Sequence, residues 1–341
     1  MVSHFDLSMG IHIPEVAAVE AKEISSKALV EAGKKYYQAG KFAKAVEKWR
    51  EAERIFSSKG DILNQSAVLS NLALAYQQLG NWPQANLTID RFEAGKNYQN
   101  VKNTAGYIRS LLNQSQALRA LGLYPRAKSS LEQVNQSLQK EPPSLLKAAS
   151  LLNFGDTLRL MGDLETSQEV LLQSLAIAEK LDSQNDIASA SLSLGNNARD
   201  RELREEAFKY YQRAIISSTS PINKIQAQLN QLRLLIDMQK WQQAKELATR
   251  IKPQMQSLPI SRTAIYTKVN FVQSLTKIED NNKDSKQDNE WENDYSAKLL
   301  GLAVREAQTI GDSRAQSYAL GYLGELYEKS QQLSDARKLT E

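Results

Sequence analysis

Two recurring side chains are the best placed to do chemistry in this 341-residue chain. Asparagine returns at Asn71, Asn113, Asn153, Asn230 and Asn270, and arginine returns at Arg119, Arg159 and Arg199, forty residues apart. An asparagine amide is both donor and acceptor, so it can hold the N–H and C=O of an extended peptide without reading its sequence. A guanidinium can grip a carboxylate in a fork. Each arginine has a polar residue three positions earlier: Gln116, Asp156 and Asn196. Together these side chains would hold a peptide backbone and select acidic side chains along it. Plainer readings stay open. The asparagines could be buried amides that bond a neighbouring helix or a backbone carbonyl and keep it in register. Arg159 could pair with Asp156 one turn away, leaving the other arginines solvated. A phosphate or nucleic acid backbone could use the same column. The formal net charge of only +4 and the lack of a wider basic and aromatic surface argue against it.

The rest of the inventory excludes most enzyme chemistry. The chain has no cysteine, which removes disulfides, cysteine nucleophiles and thiolate metal sites. Its two histidines, His4 and His12, lie near the N-terminus, so the body holds neither a Ser-His-Asp triad nor a multi-histidine zinc site. No glycine-rich phosphate loop occurs. Asp280, Asn282, Asp284 and Asp288 loosely follow a calcium loop, but Ser285 stands where its glycine belongs and Trp291 where its bidentate glutamate belongs. The expectation is therefore no catalytic residue, no metal, no cofactor and no enzyme activity. No run of eighteen apolar residues predicts a membrane span. The N-terminus lacks a signal-peptide pattern, so the cytoplasm is the expected compartment; a chain whose leader had been removed would read the same.

The elements that position these residues are repeats. "YYQAGKFAKAVEKW" from Tyr36 is answered by "AYQQLGNWPQANLTI" from Ala75. Gly40, Gly80, Gly122 and Gly162 are each followed five residues later by a small residue: Ala45, Ala85, Ala127 and Ser167. Later copies lose the glycine and keep Ala207, Ala244 and Ala336. The period is roughly 37 to 42 residues, within the range of helical solenoids. In each unit the glycine ends a first helix, and the small residue lets a second helix approach closely. A bulky residue one turn on fills the gap: Trp49, Ile89, Leu131, Leu171 or Tyr211. One pair cannot bury its apolar face alone, whereas stacked pairs share a continuous core. The concave face is expected from the first helices. Pro253 and Pro259 mark the junction after the sixth repeat as the likeliest bend.

This pattern resembles the tetratricopeptide repeat (TPR) family, with Leu29, Ala32, Gly33, Tyr36, Ala45, Trp49 and Ala52 on the family's positions in the first unit. The resemblance implies an all-α, right-handed superhelical solenoid of about seven or eight helical hairpins. It covers residues 24–341, after an irregular segment 1–23. An insertion loop is expected at 279–294, and the last repeat reads as truncated. "LVEAGKKYYQAGKFAKAVEKW" and "GDSRAQSYALGYLGELYEKSQQLSDARKL" are also similar to the repeat region of cyanobacterial TPR proteins that carry a CHAT domain, a caspase-like protease module. In related TPR proteins a similar asparagine ladder lines the concave surface and holds an extended ligand. The resemblance thus implies a protein-interaction scaffold with an extended, acidic peptide partner, acting as the docking arm of a larger CHAT-type protein. The alternatives are an oligomerisation or spacing arm without a groove ligand, and an arm that inhibits the downstream module.

Overall fold

The computed structural model describes residues 15–94, 105–281 and 286–329, together with Gln332. Among the described residues there are fifteen α-helices and no strand. They run as hairpins: α1 (Glu15–Gln38) with α2 (Phe42–Ser58), α3 (Ile62–Gln78) with α4 (Trp82–Ala94), and α5 (Ala105–Ala120) with α6 (Tyr124–Leu138). Then come α7 (Leu145–Leu160) with α8 (Leu164–Lys180), α9 (Gln184–Asp200) with α10 (Arg204–Ser217), and α11 (Pro221–Asp237) with α12 (Trp241–Ile251). The series ends with α13 (Arg262–Asp280), α14 (Lys286–Ile310) and α15 (Ser313–Lys329).

The turn inside each hairpin is the same device. A backbone N–H reaches back five residues to close the first helix: Lys41 to Tyr36, Asn81 to Tyr76, Leu123 to Leu118 and Asp163 to Leu158, at 2.8–3.0 Å. Such a closure needs a left-handed residue just before the donor, and Gly40 (φ 73°) and Gly162 (φ 86°) supply it. Where the glycine is missing the turn persists. Glu202 (φ 60°) and Gln239 (φ 57°) adopt the same conformation, and Leu203 and Lys240 make the same bond. Stacking of the pairs thus imposes the turn even where it costs a side-chain-bearing residue about 1 kcal/mol.

Packing follows the small and large positions. Ala45, Ala85, Ala127, Ser167, Ala207 and Ala244 are fully buried. Each bulky residue of a second helix presses on the first. A Cβ added at Gly155 would lie 2.5 Å from Leu171 Cγ, and one at Gly195 would lie 2.6 Å from the Tyr211 ring. First helices pack on one another along the array, α3 on α5, α5 on α7, α7 on α9, α11 on α13 and α13 on α15. Second helices instead pack against the first helices before and after them. In a curved two-layer array the more crowded layer is the inner one, so the first helices line the concave side.

Two boundaries differ from the sequence expectation. Helix α1 begins at Glu15, so 15–23 is helical rather than irregular. Its Ala17, Ala18, Glu20, Ala21 and Lys22 are good helix formers, and extending an existing helix is far easier than starting one. Most of the expected loop at 279–294 is also helix: α13 continues to Asp280 and α14 starts at Lys286. Composition alone suggests a solvated loop, but Lys286, Gln287 and Glu290 favour helix once Tyr295–Ile310 is in place. Tyr295 Oη donates to the Lys252 carbonyl at 2.9 Å and ties this helix to the end of α12. The second half of the last repeat, which was expected to be truncated, falls on residues 333–341, outside those described. After α12 the chain makes a 3-10 turn at Lys252–Gln254 and an irregular passage to Ser261, where Pro253 and Pro259 were expected to interrupt the helices.

The array curls until its first hairpins meet its last. Arg262, at the start of α13, forks onto Asp312, with Nη2 2.7 Å from Oδ1. Its guanidinium lies 4.2 Å over the Phe42 ring and donates to the Gln78 carbonyl at 3.4 Å. Gly40 sits against Ile310, where an added Cβ would come within 2.5 Å of Cδ1.

Candidate functional site

The inner layer places the ladder residues on neighbouring first helices, and through the middle repeats it ties them to one another. Asn153 on α7 is 7% exposed. Its Oδ1 accepts from Arg119 Nη2 at 2.8 Å and from Gln116 Nε2 at 3.4 Å, while its Nδ2 donates to the Ala149 carbonyl at 2.8 Å. Arg119 also lies 3.4 Å from the Asp156 carboxylate. Arg159 pairs with Asp200 at 2.6 Å, and Arg199 reaches the same carboxylate at 2.9 Å. Asp156 therefore serves the arginine one repeat earlier and not Arg159 on its own helix. A guanidinium stem is long enough to cross the gap between packed helices, about 8–10 Å between axes, so the cross-helix pair competes with the one-turn pair.

Further along, the amides are only half occupied. Asn230 Nδ2 donates to Asn196 Oδ1 at 3.0 Å, and Tyr211 Oη donates to the same oxygen at 3.0 Å. Burial pushes the Tyr211 hydroxyl up to about 12, so it stays a protonated donor at neutral pH. Asn270 Oδ1 accepts from Tyr318 Oη at 3.4 Å. This leaves Oδ1 of Asn230 and Nδ2 of Asn270 unbonded among the described residues. Asn71 on α3 and Asn113 on α5 are half-buried on the same layer.

Asn230 and Asn270 border one cavity of about 520 Å³ between α9, α11 and α13, which Arg233, Arg262, Tyr266 and Arg314 also line. Tyr266 stacks on Tyr318 with ring centroids 4.8 Å apart. Gln78 of α3 reaches the cavity from the other end of the array through the contact with Arg262. Among its described lining residues there is no aspartate or glutamate.

Three residues here lie outside the ladder read from the sequence. Asp200 stands where earlier repeats have Ala120 and Leu160, an irregularity that the repeat register exposes. Arg233 lies three residues after Asn230, the position held by Gln116, Asp156 and Asn196 in earlier repeats, so the same register marks it. Arg314 has no counterpart in the ladder and enters only through the fold. No group of three or more residues among those described could hold a metal ion, and no described helix is long and apolar enough to cross a membrane.

Residues 146–215, the hairpins α7–α8 and α9–α10, match the tetratricopeptide repeat family. Solved structures with similar folds extend the likeness along the array. A Rap protein complexed with Competence and Sporulation Factor is 13% identical, covers 94% of this chain and 90% of its own, and superposes with a TM-score of 0.54. The fold is a tetratricopeptide-repeat solenoid. A signal transduction ATPase with numerous domains and a tetratricopeptide repeat sensor, from Pyrococcus horikoshii, is 17% identical with a TM-score of 0.54, covering 87% of this chain and 44% of that one. BtubC from P. vanneervenii is 15% identical with a TM-score of 0.51, covering 65% and 91%. No curated protein matches the sequence significantly. At these identities the structures establish the solenoid and nothing about its ligand. The repeat architecture is one commonly used as a protein-interaction scaffold, built from stacked hairpins that expose an extended concave surface.

Proposed function

We propose that this solenoid holds an extended peptide segment of a partner protein against its inner layer. The observation that carries this reading is the pair Asn230 and Asn270. They lie on consecutive inner helices, border the same cavity, and each keeps half of its amide unbonded. Successive amides at one repeat position suit the repeating N–H and C=O of an extended chain. Asn71 and Asn113 continue the same row. Asn153, with its amide bonded at both ends, instead suits the register-keeping role; Asn196 accepts twice at Oδ1, from Tyr211 and Asn230, and so links two helices through that oxygen. The ladder on this reading is mixed: structural in the middle, ligand-facing towards the C-terminal repeats. The acid-selecting role of Arg119, Arg159 and Arg199 is correspondingly weakened by their own carboxylate partners.

The similar Rap structure, with its bound factor, is consistent with a ligand-carrying solenoid. A role as the docking arm of a CHAT-type protein rests on the sequence resemblance alone, as does regulation of a downstream module. The test is selection of a displayed random peptide library on the protein, followed by the N230A/N270A double variant. Loss of at least about tenfold in affinity for the selected peptides, with the melting temperature little changed, is the expected outcome, since each amide lost removes one or two hydrogen bonds to the ligand. Unchanged affinity would exclude these amides as the clamp. A mass that rises with concentration in light scattering, with no peptide selected, would favour the oligomerisation arm.

A further inference from the structure

On the outer layer, consecutive second helices are bridged by ion pairs along the array. Asp90 of α4 meets Arg126 of α6 at 2.8 Å, Glu179 of α8 meets Arg213 of α10, and Glu205 of α10 meets Lys240 at the start of α12 at 2.9 Å. The gap between α2 and α4 is different. Over Leu72 and Tyr76 of α3 it holds a cavity of about 460 Å³, bordered by Arg50, Arg54 and Arg91. Glu53 is the single acid among its described lining residues, and it is 7% exposed. Its Oε1 accepts from Arg91 Nη2 at 2.7 Å and from Gln65 Nε2 at 2.9 Å. Arg50 and Arg54 flank Glu53 on one turn of α2 and make no ion pair among the described residues. The acids one turn before them, Glu47 and Glu51, bond Lys48 instead, at 2.9 and 3.3 Å. Across the gap α4 presents Gln84, Leu87 and Thr88, none of them acidic. Three guanidiniums therefore share one carboxylate, and two positive charges stay unmatched in a concave site.

We propose that this outer cavity binds a phosphate group, held by Arg50 and Arg54 from α2 and by Arg91 from α4. A phosphate monoester carries about −1.5 to −2 charges at neutral pH and three acceptor oxygens, so it matches both free guanidiniums at once. A carboxylate, with one charge, would leave one of them unmatched. Guanidiniums suit phosphate oxygens because their N–H groups form a planar fork. Glu53 acts as the positioning residue: its bond to Arg91 fixes that side chain across the gap, beside the turn of α2 that carries the other two. Asn81 spends its Oδ1 on the Gln84 N–H at 3.3 Å, which leaves its NH2 group unbonded among the described residues at the edge of the same cavity. The site lies on the second-helix layer and is independent of the inner groove.

The test has two arms, because the phosphate could sit on a partner's side chain or on a free small molecule. In the first, a rhodamine-labelled Gly-Ala-phosphoserine-Ala-Gly peptide is compared with its serine parent by fluorescence anisotropy. In the second, inorganic phosphate is titrated into the protein by calorimetry. The wild type should bind the phosphopeptide at least about tenfold more tightly than the serine peptide, the preference of one or two charge-assisted forks, or else bind inorganic phosphate alone. The arm that binds more tightly identifies the source. In that arm the R50Q/R54Q variant should lose about tenfold in affinity. Arg50 and Arg54 are exposed, so the fold should stand, and circular dichroism checks it. The R213Q variant, which removes an outer-layer arginine already paired with Glu179, is the matched control and should bind as the wild type does. Phosphate affinity that survives R50Q/R54Q, or that falls equally in R213Q, overturns the site. So does failure of the wild type to bind both probes.

Discussion

The middle and the C-terminal repeats use the same inner-layer positions in opposite ways. In α5, α7 and α9 the polar side chains link one helix to the next, through Arg119 with Asn153 and Asp156, and through Arg159 with Asp200. In α11, α13 and α15 the corresponding layer carries Arg233 and Arg314 without an ion pair among the described residues, and two half-bonded asparagines beside one cavity. The first arrangement fixes register; the second leaves hydrogen-bonding capacity for something else. Arg233 stands at the position that Asp156 holds in α7, so a cation occupies that position in α11 where α7 has an acid.

Several variants would break or sharpen this contrast. The largest expected effect comes from Arg262→Gln. It leaves Asp312, 1% exposed, without its cation and removes the contact with Phe42 and Gln78. A stability loss of about 3 kcal/mol is expected in urea unfolding, the usual cost of stranding a buried charge. Small-angle scattering should show a larger radius of gyration as the ends part. An unchanged radius would mean that the C-terminal cavity does not depend on closure.

Gly195→Val attacks the middle repeats through packing, because the new Cβ would sit 2.6 Å from the Tyr211 ring. Overpacking of this kind should cost about 2–3 kcal/mol in thermal unfolding. It should also disturb the Tyr211–Asn196–Asn230 relay that joins the two regions. Asp200→Asn tests the electrostatic side of the contrast by making the middle repeats resemble the C-terminal ones. It frees both Arg159 and Arg199 at a partly exposed site, so the stability loss should stay within about 1 kcal/mol. Binding of a peptide of alternating aspartate and alanine should rise a few-fold, by roughly the strength of one exposed pair. No gain would show that those arginines do not face the groove. The smallest effect is Gln239→Gly, which relieves a left-handed backbone at φ 57° and should raise stability by about 0.5–1 kcal/mol in the same unfolding assay.

Much of this architecture is legible in the chain itself. Ala45, Ala85, Ala127, Ser167, Ala207 and Ala244 recur because two helix backbones can approach only where a side chain is small, and that constraint acts within a single hairpin. The turn glycines recur for an equally local reason. Hairpin order and solenoid class follow from these local rules, whereas the inner position of the asparagines was implied by the family resemblance. Two boundaries were less legible, at Glu15 and at Lys286, because helix extension depends on what is already folded beside it.

Residue type and spacing therefore determined the repeat, its turns and the existence of a polar ladder. Only the tertiary structure decided which rungs are occupied. Whether Asp156 answers Arg159 or Arg119 depends on the distance between helices from different repeats, which periodicity does not contain. Nor does it contain the contact of Arg262 with Phe42 and Gln78, because small rotations accumulate over seven hairpins before the ends can meet. The cavity that Arg233, Arg262 and Arg314 border lies beside that closure.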